Sequence, residues 1–224
     1  YKMISKIKEH ELIEDISRER DIGNRLNNAM EKIYMGNDHY SSVEEIKEAL
    51  IHVLSEKEDD DVMERYVQHL WIEKLTPFYE NEITRFREGI RVAYHEKTGE
   101  KIVEGIPLGG RIDRIDFTPE GLEVLDYKTG TLSDTQHAPK ESDVDYQLAI
   151  YALLAEEFGK VNRCGYYDLK VGKVVYEQFL EAKIDTLKTI LRELASKKEW
   201  VWEMCDELKA CRLCPYAVLC DREL

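Results

Sequence analysis

Apolar residues recur every three to four positions in the first third of the chain, then switch to a spacing of two. In ISRERDIGNRLNNAMEKIY (residues 16–34), Ile22, Leu26, Met30 and Ile33 share one helical face, and Gly36 follows as a stop. Ser42 with Glu45 three residues on is a capping-box signature, which predicts a second helix through about Leu54. A third helical stretch runs from Asp61 to about Glu88, with Pro77 kinking or splitting it. Its Tyr66, Leu70 and Trp71 read as core residues. Strands come next. RVAYHE (91–96) precedes a turn at KTGE (97–100), and a second extended run covers 101–117, broken by Gly109-Gly110. TPEG (118–121) signals a tight turn into the strand LEVLDYK (122–128). After a polar loop, DVDYQLAIYALLAEEFG (143–159) predicts a helix ending at Gly159. VNRCGYYDLK, a tight VGK turn and VVYEQFLEA predict a hairpin, and a helix from about Ile184 to Lys197 leads into a cysteine-rich tail.

This order predicts a mixed α/β domain, or α+β. A helical region (1–90) contains the first core helix, a sheet-and-helix core follows (91–180), and a C-terminal helix with the tail (181–224) completes one domain. The 224 residues suffice for a substantial core. No apolar run is long enough to span a bilayer, and the opening YKMISKIKEHEL lacks the apolar block of a signal peptide. No membrane partner is therefore expected. The formal charge of −14 excludes a surface basic all over, but leaves room for a local basic groove. ISKIK near the start, Arg111 and Arg114 are candidates for such a groove. Cys164 stands alone, in a predicted strand, and reads as a small core residue. Cys205, Cys211, Cys214 and Cys220 crowd the end. Without a signal peptide this pattern reads as metal chemistry in a reducing, cytoplasmic setting rather than a disulfide framework.

The strand pair flanking TPEG carries the candidate chemistry. A turn centred between Pro119 and Glu120 makes facing residue numbers sum to 239, which sets Asp113 opposite Asp126. Facing residues share a side of the sheet, with Cβ atoms roughly 5 Å apart. Lys128, two residues beyond Asp126, shares that side. Two carboxylates so close repel each other, more so when buried, and a hard divalent cation such as Mg²⁺ or Mn²⁺ relieves this. A bland alternative is a solvated ladder of ion pairs formed by Asp113, Arg114, Asp116 and Lys128. Gly109-Gly110 lets another backbone or a ligand approach closely.

GRID (110–113), LDYK (125–128) and QLAIY (147–151), in that order and spacing, resemble the RecB-type nuclease branch of the PD-(D/E)XK superfamily. The likeness is closest to the C-terminal nuclease domains of AddB-like helicase–nuclease subunits. It implies a restriction-endonuclease-like core, a central mixed sheet flanked by helices. It implies a metal-dependent DNA nuclease, acting as an exonuclease, that hydrolyses phosphodiester bonds in end processing and recombinational repair beside a helicase domain or subunit. By the same likeness Asp113 and Asp126 bind the metal, with the backbone carbonyl of Tyr127 as a further ligand. Lys128 positions or helps deprotonate the attacking water. Gln147 and Tyr151 share a helix face turned to the site or to a phosphate. Glu96 ends the strand where the family often has an acid. The family usually carries Gly-x-x-x-His on its first core helix; here Gly23 is followed by Asn27. An amide oxygen is a weak Mg²⁺ ligand and no substitute for imidazole toward softer metals. A catalytically weak or silent module that binds single-stranded DNA or a partner subunit is the alternative reading. His10, His39, His52, His69, His95 and His137 do not fit the motif spacing, and each is expected at the surface.

Cys211, Cys214 and Cys220 are spaced as soft-metal ligands, for Zn²⁺ or an iron–sulfur cluster. In the resembled nucleases this spacing supplies three ligands of a [4Fe–4S] cluster, and the fourth comes from upstream of the first core helix. No Cys precedes Cys164 here, so Cys205 is the other candidate. The opening YKMISKIKE resembles the segment that follows the upstream Cys-Pro, so the chain is expected to start a few residues late.

Overall fold

Helices α1 (Glu14–Tyr34), α2 (Val43–Ser55), α3 (Val62–Lys74) and α4 (Thr76–Arg87) precede the first strand in the computed structural model, which describes residues 14–55, 62–130, 145–197, 211 and 217–220. Ser42 caps α2: its Oγ accepts the Glu45 N–H at 3.2 Å, while the Glu45 carboxylate accepts from the Ser41 N–H. The helical stretch after residue 61 is split at Leu75, just ahead of Pro77, which sits in the first turn of α4 where its missing N–H costs nothing. Leu70 is exposed rather than core, Trp71 is only partly buried, and the side chain of Tyr66 lies outside the described residues.

Strands β1 (Arg91–Val103), β2 (Ile106–Thr118), β3 (Gly121–Lys128), β4 (Val161–Asp168) and β5 (Lys173–Tyr176) form a single mixed sheet in that order. All neighbours are antiparallel except β3 and β4, which the crossover helix α5 (Gln147–Ala155) makes parallel. Helix α6 (Leu180–Ser196) follows β5. No helix among the described residues is long and apolar enough to cross a membrane.

Several boundaries differ from the sequence pattern. KTGE is not a turn: residues 97–100 lie inside β1, and the chain reverses at Glu104-Gly105 instead. Both of those residues have positive φ, 50° and 82°, the backbone a two-residue hairpin turn of the primed type needs. β2 passes unbroken through Gly109-Gly110. The use of this pair is close packing, since a Cβ on Gly110 would stand 3.2 Å from Leu154 Cδ1 of α5. α5 is shorter than the predicted 143–159, and β5 stops at Tyr176, so α6 starts at Leu180 rather than Ile184.

The sheet is covered on both faces. Leu26, Met30, Ile46, Phe78 and Tyr79 pack on Leu125, Tyr127 and Tyr167 on one side. Leu148, Ala152 and Ala155 of α5 pack on Ile115, Val124, Cys164 and Tyr166 on the other. Burying each large apolar side chain contributes roughly 1.5–3 kcal/mol. The result is a helix–sheet–helix sandwich, consistent with a restriction-endonuclease-like core. Cys164 is a buried core residue, as its strand position predicts.

The first layer also buries charge. Arg114, Glu82, Asp116 and Glu123 are wholly inaccessible and Arg85 nearly so. Arg114 Nη1 donates to Glu82 Oε2 and its Nε to Asp116 Oδ1, both at 2.7 Å. Arg85 Nη2 lies 2.6 Å from Asp116 Oδ2 and 2.8 Å from Glu123 Oε2. Tyr34 and Tyr167 donate to Glu82. Arg114 and Asp116 therefore belong to an interior ion-pair network and not to a solvated ladder, which also removes Arg114 as a contact for a nucleic acid.

Candidate active site

The tight turn after Thr118 fixes the strand pair. Thr118 faces Gly121, Ile115 faces Val124 and Arg114 faces Leu125, the register in which residue numbers sum to 239. The regular ladder ends there. One step further stand Asp113 and Asp126, joined to the neighbouring strand in another way: the Tyr127 N–H donates to Asp113 Oδ2 at 2.9 Å. Asp113 is half-buried and Asp126 is 3% exposed.

Helix α5 aims its first turn at this point. Gln147 Nε2 donates to Asp126 Oδ1 at 2.7 Å and lies 3.2 Å from the Tyr151 hydroxyl. Gln147 Oε1 accepts from Lys128 Nζ at 3.2 Å. Lys128 Nζ is also 2.6 Å from Asp126 Oδ2 and 4.8 Å from the centre of the Tyr166 ring. Tyr166, the β4 neighbour of Asp126, donates its hydroxyl to Asp145 at 2.6 Å. Asp113, Asp126, Lys128, Gln147 and Tyr151 thus form one contiguous group on the α5 side of the sheet.

Glu96 joins them from β1. It falls opposite Asp113, between the His95–Arg114 and Lys97–Ile112 pairs, and its φ is 46°. Tyr94 and Lys97 both reach the Phe158 ring, so the alternation of the strand breaks at Glu96. A non-glycine residue in the left-handed region is strained, and such strain clusters at functional sites. The Glu96 carboxylate lies 2.5 Å from Arg111 Nε without the alignment of a hydrogen bond.

The electrostatics follow from crowding. Burial pushes the Asp113 carboxyl up to about 7, and the neighbouring Asp126 charge adds to this. Burial also raises Asp126, with Lys128 pulling the other way. Burial raises Glu96 against the pull of Arg111, and it raises the Tyr151 hydroxyl to about 12. Asp113, Asp126 and Glu96 each hold a proton more tightly than they would in water.

Asn27 stands on α1, half-buried. Gly23, one turn earlier, abuts Thr129 just past β3, and Glu31, one turn later, adds to the rise of Glu96. Asn27 lies between them on the same stripe, so that stripe borders the site.

Other expectations fare differently. His95 is not a surface residue: its ring stacks on Tyr34 at 4.9 Å, and both ring nitrogens are buried without a hydrogen-bond partner. His39 and His69 are exposed. Of the proposed cluster ligands, Cys205 and Cys214 lie outside the described residues, and Cys211 and Cys220 are half-buried. ISKIK also lies outside them. The pattern reading missed the support on the reverse face, where Arg114 Nη1 donates to the Tyr127 hydroxyl at 3.2 Å behind the two acids.

A divalent cation fits what is present. Asp113 and Asp126 offer hard oxygens, their charge is uncompensated by a second base, and Asp126 Oδ2 is buried without an aligned hydrogen bond. Among the described residues, no three His, Cys, Asp or Glu side chains already converge into a metal cluster. The remaining ligands would therefore be backbone carbonyl, amide and water oxygens.

In comparisons with known proteins, no curated sequence matches the chain. A family model, that of the PD-(D/E)XK nuclease superfamily, matches residues 1–221. That match spans nearly the whole chain, and the protein belongs to the PD-(D/E)XK nuclease superfamily.

Proposed function

We propose that the protein is a Mg²⁺- or Mn²⁺-dependent deoxyribonuclease, an exonuclease that trims DNA ends in recombinational repair alongside a helicase domain or subunit. The observation that supports the nuclease reading is the group of Asp113, Asp126 and Lys128 where the β2–β3 ladder ends. The exonuclease and helicase parts rest on the likeness of GRID, LDYK and QLAIY to RecB-type nucleases.

Asp113, Asp126 and the Tyr127 carbonyl would hold the cation, and Asn27 borders them with an amide oxygen. When bound, the cation supplies a water of lowered pKa and a counter-charge for the phosphate. The chain does the rest. Gln147 holds Asp126 by one oxygen and fixes its plane. Lys128, tethered by Asp126 and Gln147, keeps an ammonium where negative charge grows on the scissile phosphate. Tyr151 steadies Gln147. The tail cysteines would hold a [4Fe–4S] cluster, a reading that rests on their spacing; absorbance near 400 nm in anaerobically purified protein tests it.

The test is cleavage of labelled single- and double-stranded DNA with Mg²⁺ or Mn²⁺. Asp126→Ala and Lys128→Ala should each abolish product. Cleavage that survives in both variants overturns the assignment. One residue favours a second reading, a silent module that grips single-stranded DNA or a partner subunit: Asn27, where the family usually places a histidine. Binding without cleavage by the parent protein would select it.

A further inference from the structure

Most basic side chains in the described parts of this acidic chain are spoken for. Lys47, Lys101, Arg111, Lys183 and Arg192 pair with carboxylates, and Arg85 and Arg114 are buried. At the end of α3 and in the β4–β5 turn, Lys74 and Lys170 are exposed, and neither has a carboxylate partner among the described residues. Both instead place their ammonium groups over the indole of Trp71, at 5.4 and 5.3 Å from the ring centre. Trp71 packs its inner part on the core below α3.

The turn that presents Lys170 is rigid. Asp168 Oδ1 accepts from the N–H groups of Lys170 and Val171, both at 3.0 Å, and the Gly172 N–H closes the turn on the Asp168 carbonyl at 2.8 Å. Gly172, with φ +67°, presses on the Pro77 backbone so closely that a Cβ would stand 2.1 Å from its carbonyl oxygen. The turn is therefore locked onto the α3–α4 junction, and Lys170 is held near Trp71 by backbone rather than by chance.

The same turn adjoins the acids. The Leu169 N–H donates to the Lys128 carbonyl at 3.0 Å. Lys128, Asp168 and Lys173 are register partners across β3, β4 and β5, so exposed Lys173 stands two strand spacings, about 10 Å, from Lys128. A partly exposed aromatic ring flanked by amines without carboxylate partners, beside a turn that adjoins the acids, is an arrangement that can grip a single strand: the ring stacks a base and the amines take the phosphates.

We propose that Trp71, Lys74 and Lys170 form a single-stranded DNA subsite that leads the strand over the ends of β3 and β4 to Asp113 and Asp126. On binding, the two ammonium groups exchange the indole face for phosphate oxygens, and the freed face receives a base. This deepens the nuclease reading and rests on it for its biological sense, but it is tested by binding alone.

The experiment uses the full chain carrying Asp126→Asn, so that no probe is cut. Affinity for a fluorescein-labelled oligothymidine is measured by anisotropy across a salt series, with the matching duplex as second probe. Lys74→Gln/Lys170→Gln should weaken single-strand binding about 10-fold at moderate salt and flatten the slope of log K against log salt by about 1.4, two phosphate contacts at roughly 0.7 each. Trp71→Leu should weaken it by a similar factor without changing the slope, because stacking releases no counterions. The lysine changes lie on exposed side chains and leave the melting temperature where it was, which separates lost binding from lost folding. Unchanged affinity and slope in the lysine variant overturn the subsite, as does an absence of single-strand binding by the parent. An effect confined to the duplex probe overturns the single-strand assignment. If the protein with Asp126 intact binds DNA through these residues yet cuts none, the subsite stands and the nuclease reading falls.

Discussion

Gln147 holds Asp126 by Nε2 at 2.7 Å and Lys128 by Oε1 at 3.2 Å, so a single amide orients both charged groups of the site. An amide suits this pair because it donates to a carboxylate and accepts from an ammonium at once. Glutamate in its place would accept from Lys128 but repel Asp126, and leucine would do neither. Gln147→Leu is expected to lower kcat by about 10- to 100-fold and to raise the Mg²⁺ concentration for half-maximal activity, the usual scale for losing a group that orients a ligand. Circular dichroism should show an intact fold, since Gln147 is only half-buried. Steady-state kinetics with a Mg²⁺ titration checks both.

The crowding of the acids predicts a trade between stability and function. Asp113 has its carboxyl raised to about 7 by burial and by Asp126. A raised folded pKa means that the charged form is destabilising, and the penalty grows as pH climbs from about 4 to about 7 and stays constant above that. Asn at 113 removes the charge and still accepts the Tyr127 N–H. Asp113→Asn is therefore expected to abolish cleavage while raising the stability of metal-free protein at pH 8, on the order of 2 kcal/mol. Denaturant unfolding in EDTA measures this; a destabilised variant would contradict the picture of two repelling acids.

How much of this could be read from the chain is uneven, for physical reasons. The register of β2 on β3 followed from counting, because TPEG is a tight turn and a turn of fixed length dictates the pairs beyond it, here as far as Arg114 and Leu125. The first hairpin was not legible in the same way. Thr98-Gly99 and Glu104-Gly105 both carry the residues of a reversal, and the choice between them was made by the length of the partner strand and by α5 pressing on Gly99 and Gly110. Glu82 and Arg85 sit on a helix with the spacing of ordinary surface charges. Only their encounter with Arg114, Asp116 and Glu123 from the sheet makes them interior. His95 is hidden by the same cause, since the rings that enclose it come from α1 and β3.

His95 yields a pH signature. Burial, with the Arg114 charge beside it, lowers its pKa from about 6.5 to about 3. Between those values the unfolded chain takes a proton that the folded one refuses. Stability is thus lost as pH falls from about 6.5 toward 3. His95→Phe keeps a ring against Tyr34 and Tyr127 and removes the titration. The parent should lose on the order of 2 kcal/mol more than the variant between pH 7 and pH 4.5, the difference isolating His95 from the acids that titrate in the same range. Parallel stability–pH curves would show that the fold does not lower the pKa of His95.

Gly172 offers the sharpest test of the architecture around the site. With φ +67° and the Pro77 carbonyl in the path of any Cβ, alanine is opposed both by its own backbone and by a rigid neighbour. Neither obstacle is the end of a flexible side chain, so relief requires the β4–β5 turn to lift off the α3–α4 junction. Lifting it breaks the Leu169 N–H bond to the Lys128 carbonyl, because the turn carries that residue with it. Gly172→Ala is expected to destabilise the protein by roughly 3 kcal/mol or more, among the larger single-residue effects. Where the folded population is kept high by low temperature, its amide exchange should quicken at Leu169 and Gly172 before it does so in β2. Wild-type exchange at those two amides would mean that the turn does not depend on the missing side chain.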